Sequence, residues 1–227
     1  TGHQLNLFTG PLYFLYKIVS TINLTEELKR KYPEYNFVPV YWMATEDHDF
    51  EEINYFNLHG KKVRWNTENG GPVGRLSTTG LDEVFEVFAL ELGIGKNADY
   101  LKSLFQKAYV GHSNLAEATR FLANEIFGKS GLVIIDADEP ELKKQFVPYV
   151  KEVIEKFDGK VLFTRDTHFE NYMETQEGHN LPVPHCIKDT TGWEISSELK
   201  AFCVEEPIDK ITFGSKELPS VLKEISD

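Results

Sequence analysis

The spacing of apolar residues divides the chain into a mostly helical front and an alternation of strands and helices behind it. Leu12, Leu15, Tyr16, Val19, Ile22 and Leu28 recur at helical spacing between the turn signal Gly10-Pro11 and Pro33, which predicts a helix there. Phe37-Val38-Pro39-Val40-Tyr41-Trp42-Met43 reads as a buried strand, with Pro39 at odds, and runs into the acidic turn Thr45-Glu46-Asp47-His48-Asp49. Residues 61–65 and 73–76 predict a hairpin around Asn69-Gly70-Gly71. Helices are expected over about 80–92, 97–110 and 114–127, the last capped by Ser113 or Asn114 and stopped at Gly128. The apolar run Leu132-Val133-Ile134-Ile135, a helix over about 139–156 and a second strand at 160–164 form a βαβ pattern, whose crossover should be right-handed over a parallel sheet. A strand at 208–213 and a helix from Lys216 close the series. The class is α/β.

Composition narrows the function. The 227 residues are 41% hydrophobic and 26% charged, ordinary for a globular protein with a real core. The formal charge of −12 opposes non-specific nucleic-acid binding, which needs clustered cations. No apolar run approaches the ~20 residues that cross a bilayer. Two cysteines, Cys186 and Cys203, make no disulfide framework, and with no signal peptide in view the expected location is the cytoplasm. The chain opens on Thr1-Gly2-His3-Gln4 with no strand before it, so a fragment is expected.

In open parallel sheets, ligands bind where strands end and helix amino termini offer unpaired amides. Thr1-Gly2-His3-Gln4 and Thr9-Gly10-Pro11 precede a helix, and Glu46-Asp47-His48-Asp49 follows a strand. They could share one crevice, with His3 and His48 contacting phosphate or carboxylate and Asp47 or Asp49 orienting a nucleophile. The alternative is that all are turn and cap residues. Thr-Gly-His-Gln-Leu-Asn-Leu-Phe-Thr-Gly-Pro-Leu-Tyr at 1–13 with Lys17, Pro39 through Glu52, Gly111-His112-Ser113-Asn114-Leu115-Ala116 and Gly131 through Asp136 resemble the BshC family, cysteine-adding enzymes of bacillithiol biosynthesis. The resemblance covers about 1–152. It implies a nucleotidyltransferase-like Rossmann core, a small-molecule substrate (glucosaminyl malate, to which cysteine is joined) and an adenine nucleotide as cofactor. It further implies a binding crevice around His3, Gln4, Asn6, Gly10, Lys17 and Glu46, with Asp47, His48 and Asp49 as catalytic candidates. Family members are more than twice as long, so half of the sheet and an oligomerising coil are expected to be missing and turnover to be weak or absent.

A second polar cluster follows the later strand. Asp166 and His168 sit two apart at its end, His185 returns after Pro182 and Pro184, and Glu177 offers a fourth ligand, with Glu174 and His179 as rivals. Imidazole and carboxylate suit a divalent metal, Zn, Mn or Fe; otherwise these are loop residues capping helices. Phe163-Thr164-Arg165-Asp166-Thr167-His168, Asn171-Tyr172, Glu177-Gly178, Leu181-Pro182-Val183-Pro184-His185-Cys186 and Gly192-Trp193 resemble the nicotinamidase/isochorismatase-like cysteine hydrolases. That resemblance implies Asp166, His168 and His185, with Glu177, as metal ligands and Lys210 as catalytic lysine. The family's nucleophile is missing: Cys186 belongs to the Pro-His-Cys motif and Cys203 to a helix. Asp136 falls where the family's base should be, by topology alone. Without a thiolate there is no acyl-enzyme route. The expected architecture is a chimera of Rossmann-like halves, 1–152 and 153–227, joined inside the helix at 139–156 into one three-layer α/β/α domain with a mostly parallel sheet. A ligase fragment, a metal-binding hydrolase remnant and an inactive structural chimera all remain open.

Overall fold

The computed structural model describes every residue except 68, 69, 213 and 227, and nothing is said of the side chains at 180 and 226. The chain divides into two compact units, Thr1–Glu139 and Pro140–Asp227.

In the first unit, β1 (Gly2–His3) leads through a short turn into α1 (Leu12–Lys31), then β2 (Val40–Met43) and the single-turn α2 (Phe50–Ile53). The hairpin β3 (Tyr55–Leu58) and β4 (Lys61–Arg64) follows, then α3 (Leu81–Leu92), α4 (Lys96–Phe105), α5 (Leu115–Phe127) and β5 (Val133–Asp136). The sheet is parallel in the order β1-β2-β5, with Gly2 opposite Trp42 and Val40 opposite Val133. The opening Gly2–His3, expected to be a turn, is thus itself a strand. Pro39 fits because it stands just before β2, where its carbonyl accepts from the Val133 amide at 2.9 Å and no amide is required of it.

Three sequence expectations shift. The buried face of α1 is Phe14, Ile18, Ile22 and Thr25, whereas Leu12, Tyr16 and Val19 are exposed; the helix carries two apolar stripes, and periodicity alone cannot choose between them. The hairpin pairs 55–58 with 61–64, not 61–65 with 73–76. His59 (φ 49°) and Gly60 (φ 78°) make the two-residue turn with both central residues left-handed, which matches the twist of the flanking strands. Val73–Arg75 is a 3-10 turn, and of the expected Asn69-Gly70-Gly71 turn, Asn69 lies outside the described residues. Lastly, Gly128 keeps a right-handed conformation and α5 runs on into a 3-10 turn, so the left-handed stop falls at Gly131 (φ 73°). Asn114 does cap α5, its side chain accepting from the Glu117 amide at 2.9 Å.

Burial concentrates on aromatic rings. Phe8, Phe88, Phe105 and Tyr109 pack together, with centroid separations of 4.6 Å for the edge-on Phe8–Phe88 pair, 5.0 Å for the stacked Phe88–Phe105 pair and 4.9 Å for the tilted Phe105–Tyr109 pair. Such pairs add roughly 0.5–1.5 kcal/mol each beyond their buried area.

The second unit comprises α6 (Pro140–Lys156), β6 (Thr164–Asp166), α7 (Gln176–Asn180), β7 (Ile208–Lys210) and α8 (Leu218–Ser226). β6 pairs in parallel with β7, Thr164 opposite Ile208. Both strands are shorter or later than the expected 160–164 and 208–213, and Phe213 lies outside the described residues. Within this unit β6 and β7 form a two-stranded parallel ladder. No residue of α6 is buried, and Phe146, Tyr149 and Val153 stand exposed on it. Thr167, His168 and Tyr172 are among the buried residues of this unit. No helix among the described residues is long and apolar enough to cross a membrane.

Candidate functional site

The parallel register sets His3, Met43 and Asp136 level at the carboxyl ends of β1, β2 and β5. Each strand hands over there to a polar turn. After β1, the Gln4 amide nitrogen donates to Asp47 Oδ2 at 3.1 Å and to Glu52 Oε2 at 3.0 Å, which ties the opening motif to the acidic turn. Asn6, buried, donates to the Glu52 carbonyl at 3.2 Å, and its side chain lies against the His3 ring. The chain then passes through consecutive left-handed residues, Phe8 (φ 49°), Thr9 (φ 68°) and Gly10 (φ 43°). A Cβ at Gly10 would lie 2.4 Å from Asn6 Cβ, so glycine is required for the loop to close over Asn6. Strain of this kind persists only where surrounding contacts impose it; here the Phe8 amide donates to the buried Tyr109 hydroxyl at 2.8 Å.

His3, Gln4, Asn6, Gly10, Tyr13 and Glu52 line an open cavity of about 900 Å³, together with Tyr55 and Lys62 of the hairpin. Burial is the main cause holding the His3 pKa below its usual value, and the Lys17 charge adds to it. His3 Nδ1 lies 3.2 Å from the Gln4 carbonyl, so that nitrogen carries the proton and Nε2 keeps its lone pair. Lys17 donates to the Gly2 carbonyl, at the rear of the turn.

The acidic turn is only partly in this cavity. Asp47 Oδ1 accepts from the His48 amide at 2.7 Å and the Asp49 amide at 3.4 Å, a side-chain turn that fixes the loop. Burial first, then the Asp47 and Glu52 charges, raise the Asp49 pKa. Glu46, His48 and Asp49 are exposed, and none of the turn residues 46–49 lines the cavity, which Asp47 reaches through Gln4.

A polar network that sequence reading did not assemble lies at the ends of β2 and β5. Buried Thr45 donates to Asp136 Oδ1, and its own Oγ1 accepts from the Asp138 amide at 3.0 Å. Arg120 donates to Asp136 Oδ2 at 3.2 Å and Arg75 to Asp138 Oδ2 at 2.6 Å. The signal was present in Asp136-Ala137-Asp138 directly after an apolar strand; the arginines, distant in sequence, gave none.

In the second unit, ligand atoms of His168, Glu177 and His185 all lie within 4.8 Å of one another. His168 Nε2 is 3.7 Å from Glu177 Oε1, and the two imidazoles are 4.7 Å apart. His185 Nδ1 sits 2.8 Å from the Val183 carbonyl, which leaves its Nε2 for a ligand. Asp166 stands outside this group, paired with Lys210 at 2.6 Å. Cys186 is no activated nucleophile, because burial and the Asp166 charge raise its thiol pKa against the opposing pull of Lys210.

A parallel sheet with polar turns at its carboxyl edge gives the first unit a Rossmann-like α/β fold. The family described as bacillithiol biosynthesis BshC, N-terminal Rossmann-like domain, matches residues 1–181, and the chain belongs to it. The match extends beyond 152, through Asp166, His168 and Glu177. Relatives named "Putative cysteine ligase BshC" include one from Flavobacterium johnsoniae, 70% identical over 69% of this chain and 30% of the relative. Another, from Flavobacterium psychrophilum, is 71% identical over 67% of this chain and 29% of its own length. A third, from Staphylococcus saprophyticus, is 32% identical over 68% and 30%. The chain thus spans under a third of the length of these relatives.

Proposed function

We propose that the first unit is the substrate-binding part of a cysteine ligase of bacillithiol biosynthesis and holds glucosaminyl malate in the His3–Gln4–Asn6 cavity, with little or no turnover by this chain alone. The carrying observation is the cavity lined by His3, Gln4, Asn6 and Gly10 at the carboxyl end of the sheet, in a chain of the BshC family. Amide formation joins the cysteine carboxyl carbon to the glucosamine nitrogen and releases a proton from that nitrogen. His3, whose pKa burial holds below its usual value, suits acceptance of that proton. The C–N bond forms as the bond from the carboxyl carbon to one of its oxygens breaks, that oxygen leaving on phosphate; an adenine nucleotide is the group we assign to supply that phosphate. Asp47, His48 and Asp49, held as one turn, would flank it.

The test is thermal unfolding with glucosaminyl malate at about a hundred times its dissociation constant, which should stabilise by about 2.7 kcal/mol. Asn6→Ala should abolish the shift yet remain folded. No shift in the unaltered protein at millimolar ligand would overturn the reading.

The geometry of His168, Glu177 and His185 favours a second reading for the other unit: a divalent zinc, manganese or iron site of cysteine-hydrolase type, joined to the ligase part as a chimera and lacking its nucleophile. Paired with Lys210, Asp166 would have to change partner to serve as a ligand. Elemental analysis should find metal in the protein and less in His168→Ala; equal content in both would remove this reading.

A further inference from the structure

Gly111-His112 does not line the cavity, yet it shapes a turn that reaches the cavity's glycine loop. α4 ends at Phe105, and the chain continues from Gln106 to Val110 as a π-helical turn, closed by the Gly111 amide donating to the Gln106 carbonyl at 3.0 Å. Such turns are rare and recur at functional sites. A Cβ on Gly111 would lie 2.5 Å from the Lys107 carbonyl oxygen, so glycine is required there. His112 Nδ1 lies 3.0 Å from the Lys107 carbonyl oxygen and 2.9 Å from that of Ala108, so its N–H ties down the carbonyls of the widened turn.

What this turn delivers is Tyr109. The residue is fully buried, its ring lies 4.9 Å from Phe105, and its hydroxyl accepts from the Phe8 amide at 2.8 Å, 101 residues away in sequence. Phe8 sits against its own backbone preference, since a bulky side chain at φ 49° is a genuine outlier. Its ring packs on Phe88 of α3 at 4.6 Å and on Phe105 of α4 at 5.1 Å, while Tyr109 holds its amide. Side chain and main chain of Phe8 are thus both fixed by the helices. From there the left-handed path continues through Thr9 to Gly10, which lies against Asn6 in the cavity lining. The Gly10 amide donates to the Leu7 carbonyl at 2.9 Å and closes the loop.

We propose that Tyr109 is a positioning residue for the cavity: its hydroxyl holds residues 8–10 in the left-handed path that sets Asn6 and Gly10 for a ligand, and Gly111 and His112 act through the turn that presents it. The proposal rests on the reading of the His3–Gln4–Asn6 cavity as the ligand site. A loop held against its own preference leaves that conformation when a restraint is cut, and apparent affinity falls with the fraction still competent. Tyr109 touches no ligand; its effect passes through the loop.

The test is titration calorimetry of the whole chain with glucosaminyl malate, at a temperature where circular dichroism finds each variant folded. Hydrogen exchange at the Gly10 amide in the ligand-free protein is the second readout. Tyr109→Phe keeps the ring and removes the acceptor; it should weaken binding about tenfold and speed exchange at Gly10 about tenfold. Gly111→Ala, which opens the turn and keeps the hydroxyl, should move both readouts the same way. Tyr41→Phe is the control, because the buried Tyr41 hydroxyl has no hydrogen-bond partner among the described residues; it should match the parent in both. A merely structural hydroxyl would lower the melting temperature of Tyr109→Phe and leave its affinity and Gly10 exchange at parental values, and that result overturns the proposal. Equal weakening by Tyr41→Phe, or parental affinity in Gly111→Ala, overturns it as well. A parent that binds no glucosaminyl malate removes the ligand-site reading and the proposal with it, whereas a parent and a Tyr109→Phe variant that bind equally well remove the proposal alone.

Discussion

Thr45 separates hydrogen bonding from packing at the carboxyl edge of the sheet. Its side chain is buried, donates to Asp136 and accepts from the Asp138 amide at 3.0 Å. Thr45→Val keeps the volume and removes the hydroxyl. The Asp138 amide retains Asp136 Oδ1 at 3.0 Å, so the main loss is the bond to the carboxylate. Hydrogen bonds to charged groups contribute about 1.5–3 kcal/mol, so a loss of about 2 kcal/mol is expected. Thr45→Ser keeps the hydroxyl and deletes one buried methyl, a loss of about 1 kcal/mol. Urea unfolding followed by tryptophan fluorescence, in a Trp193→Phe background so that emission reports on Trp42 and Trp65 of the first unit, measures both. With a slope of about 2 kcal/mol per molar urea, the valine midpoint should fall by about 1 M and the serine midpoint by about half that. If valine proves as stable as serine or more so, the network is packing and the hydrogen-bond argument fails.

Gly10→Ala should destabilise the first unit by about 3 kcal/mol, from a left-handed alanine plus the collision with Asn6, and a melting curve within about 1 kcal/mol of the parent would refute the strained-loop account. The folded-state pKa of His3 lies below its unfolded value of 6.5, so the unfolded chain takes up its proton first as pH falls. The parent should therefore lose stability relative to His3→Gln as pH drops below about 6.5 and through the lowered pKa; parallel stability–pH curves would contradict this. Cys186, with its raised thiol pKa, should react with iodoacetamide at pH 7 more slowly than free cysteine, and mass spectrometry resolving faster labelling at that residue would refute it.

Local chemistry was the readable part of the sequence. Asn114 as a cap and the Gly10-Pro11 helix start follow from rules acting within a few residues, and both stand in the structure. The parallel α/β class was equally legible from apolar strands alternating with helices. Hairpin register was misread because the His59-Gly60 turn is flanked by the weak, Lys-rich 61–64, while the stronger glycine signal at 70–71 drew the assignment downstream. For α1 the two apolar stripes were equivalent on paper, and only tertiary packing selects Phe14, Ile18 and Ile22. The cleft residues His3, Gln4, Asn6 and Gly10 were legible as a cluster, since they are sequential. Arg75 and Arg120 were not, because their partners Asp138 and Asp136 lie far along the chain.

The pairing of β2 with β5 also sets when the site can come into being. Thr45 and Asp136 are 91 residues apart in sequence, and their strands are hydrogen-bonded neighbours. During synthesis the opening motif, the acidic turn and the hairpin all leave the ribosome well before the strand that completes their sheet. Closing so long a loop is entropically slow, and contacts of such separation form late. A nascent chain halted at the end of α5 would carry every cleft residue from His3 to Lys62 and still lack the edge that fixes Thr45. Assembly of this site is therefore timed by the emergence of residues 133–138, long after its own residues have been made.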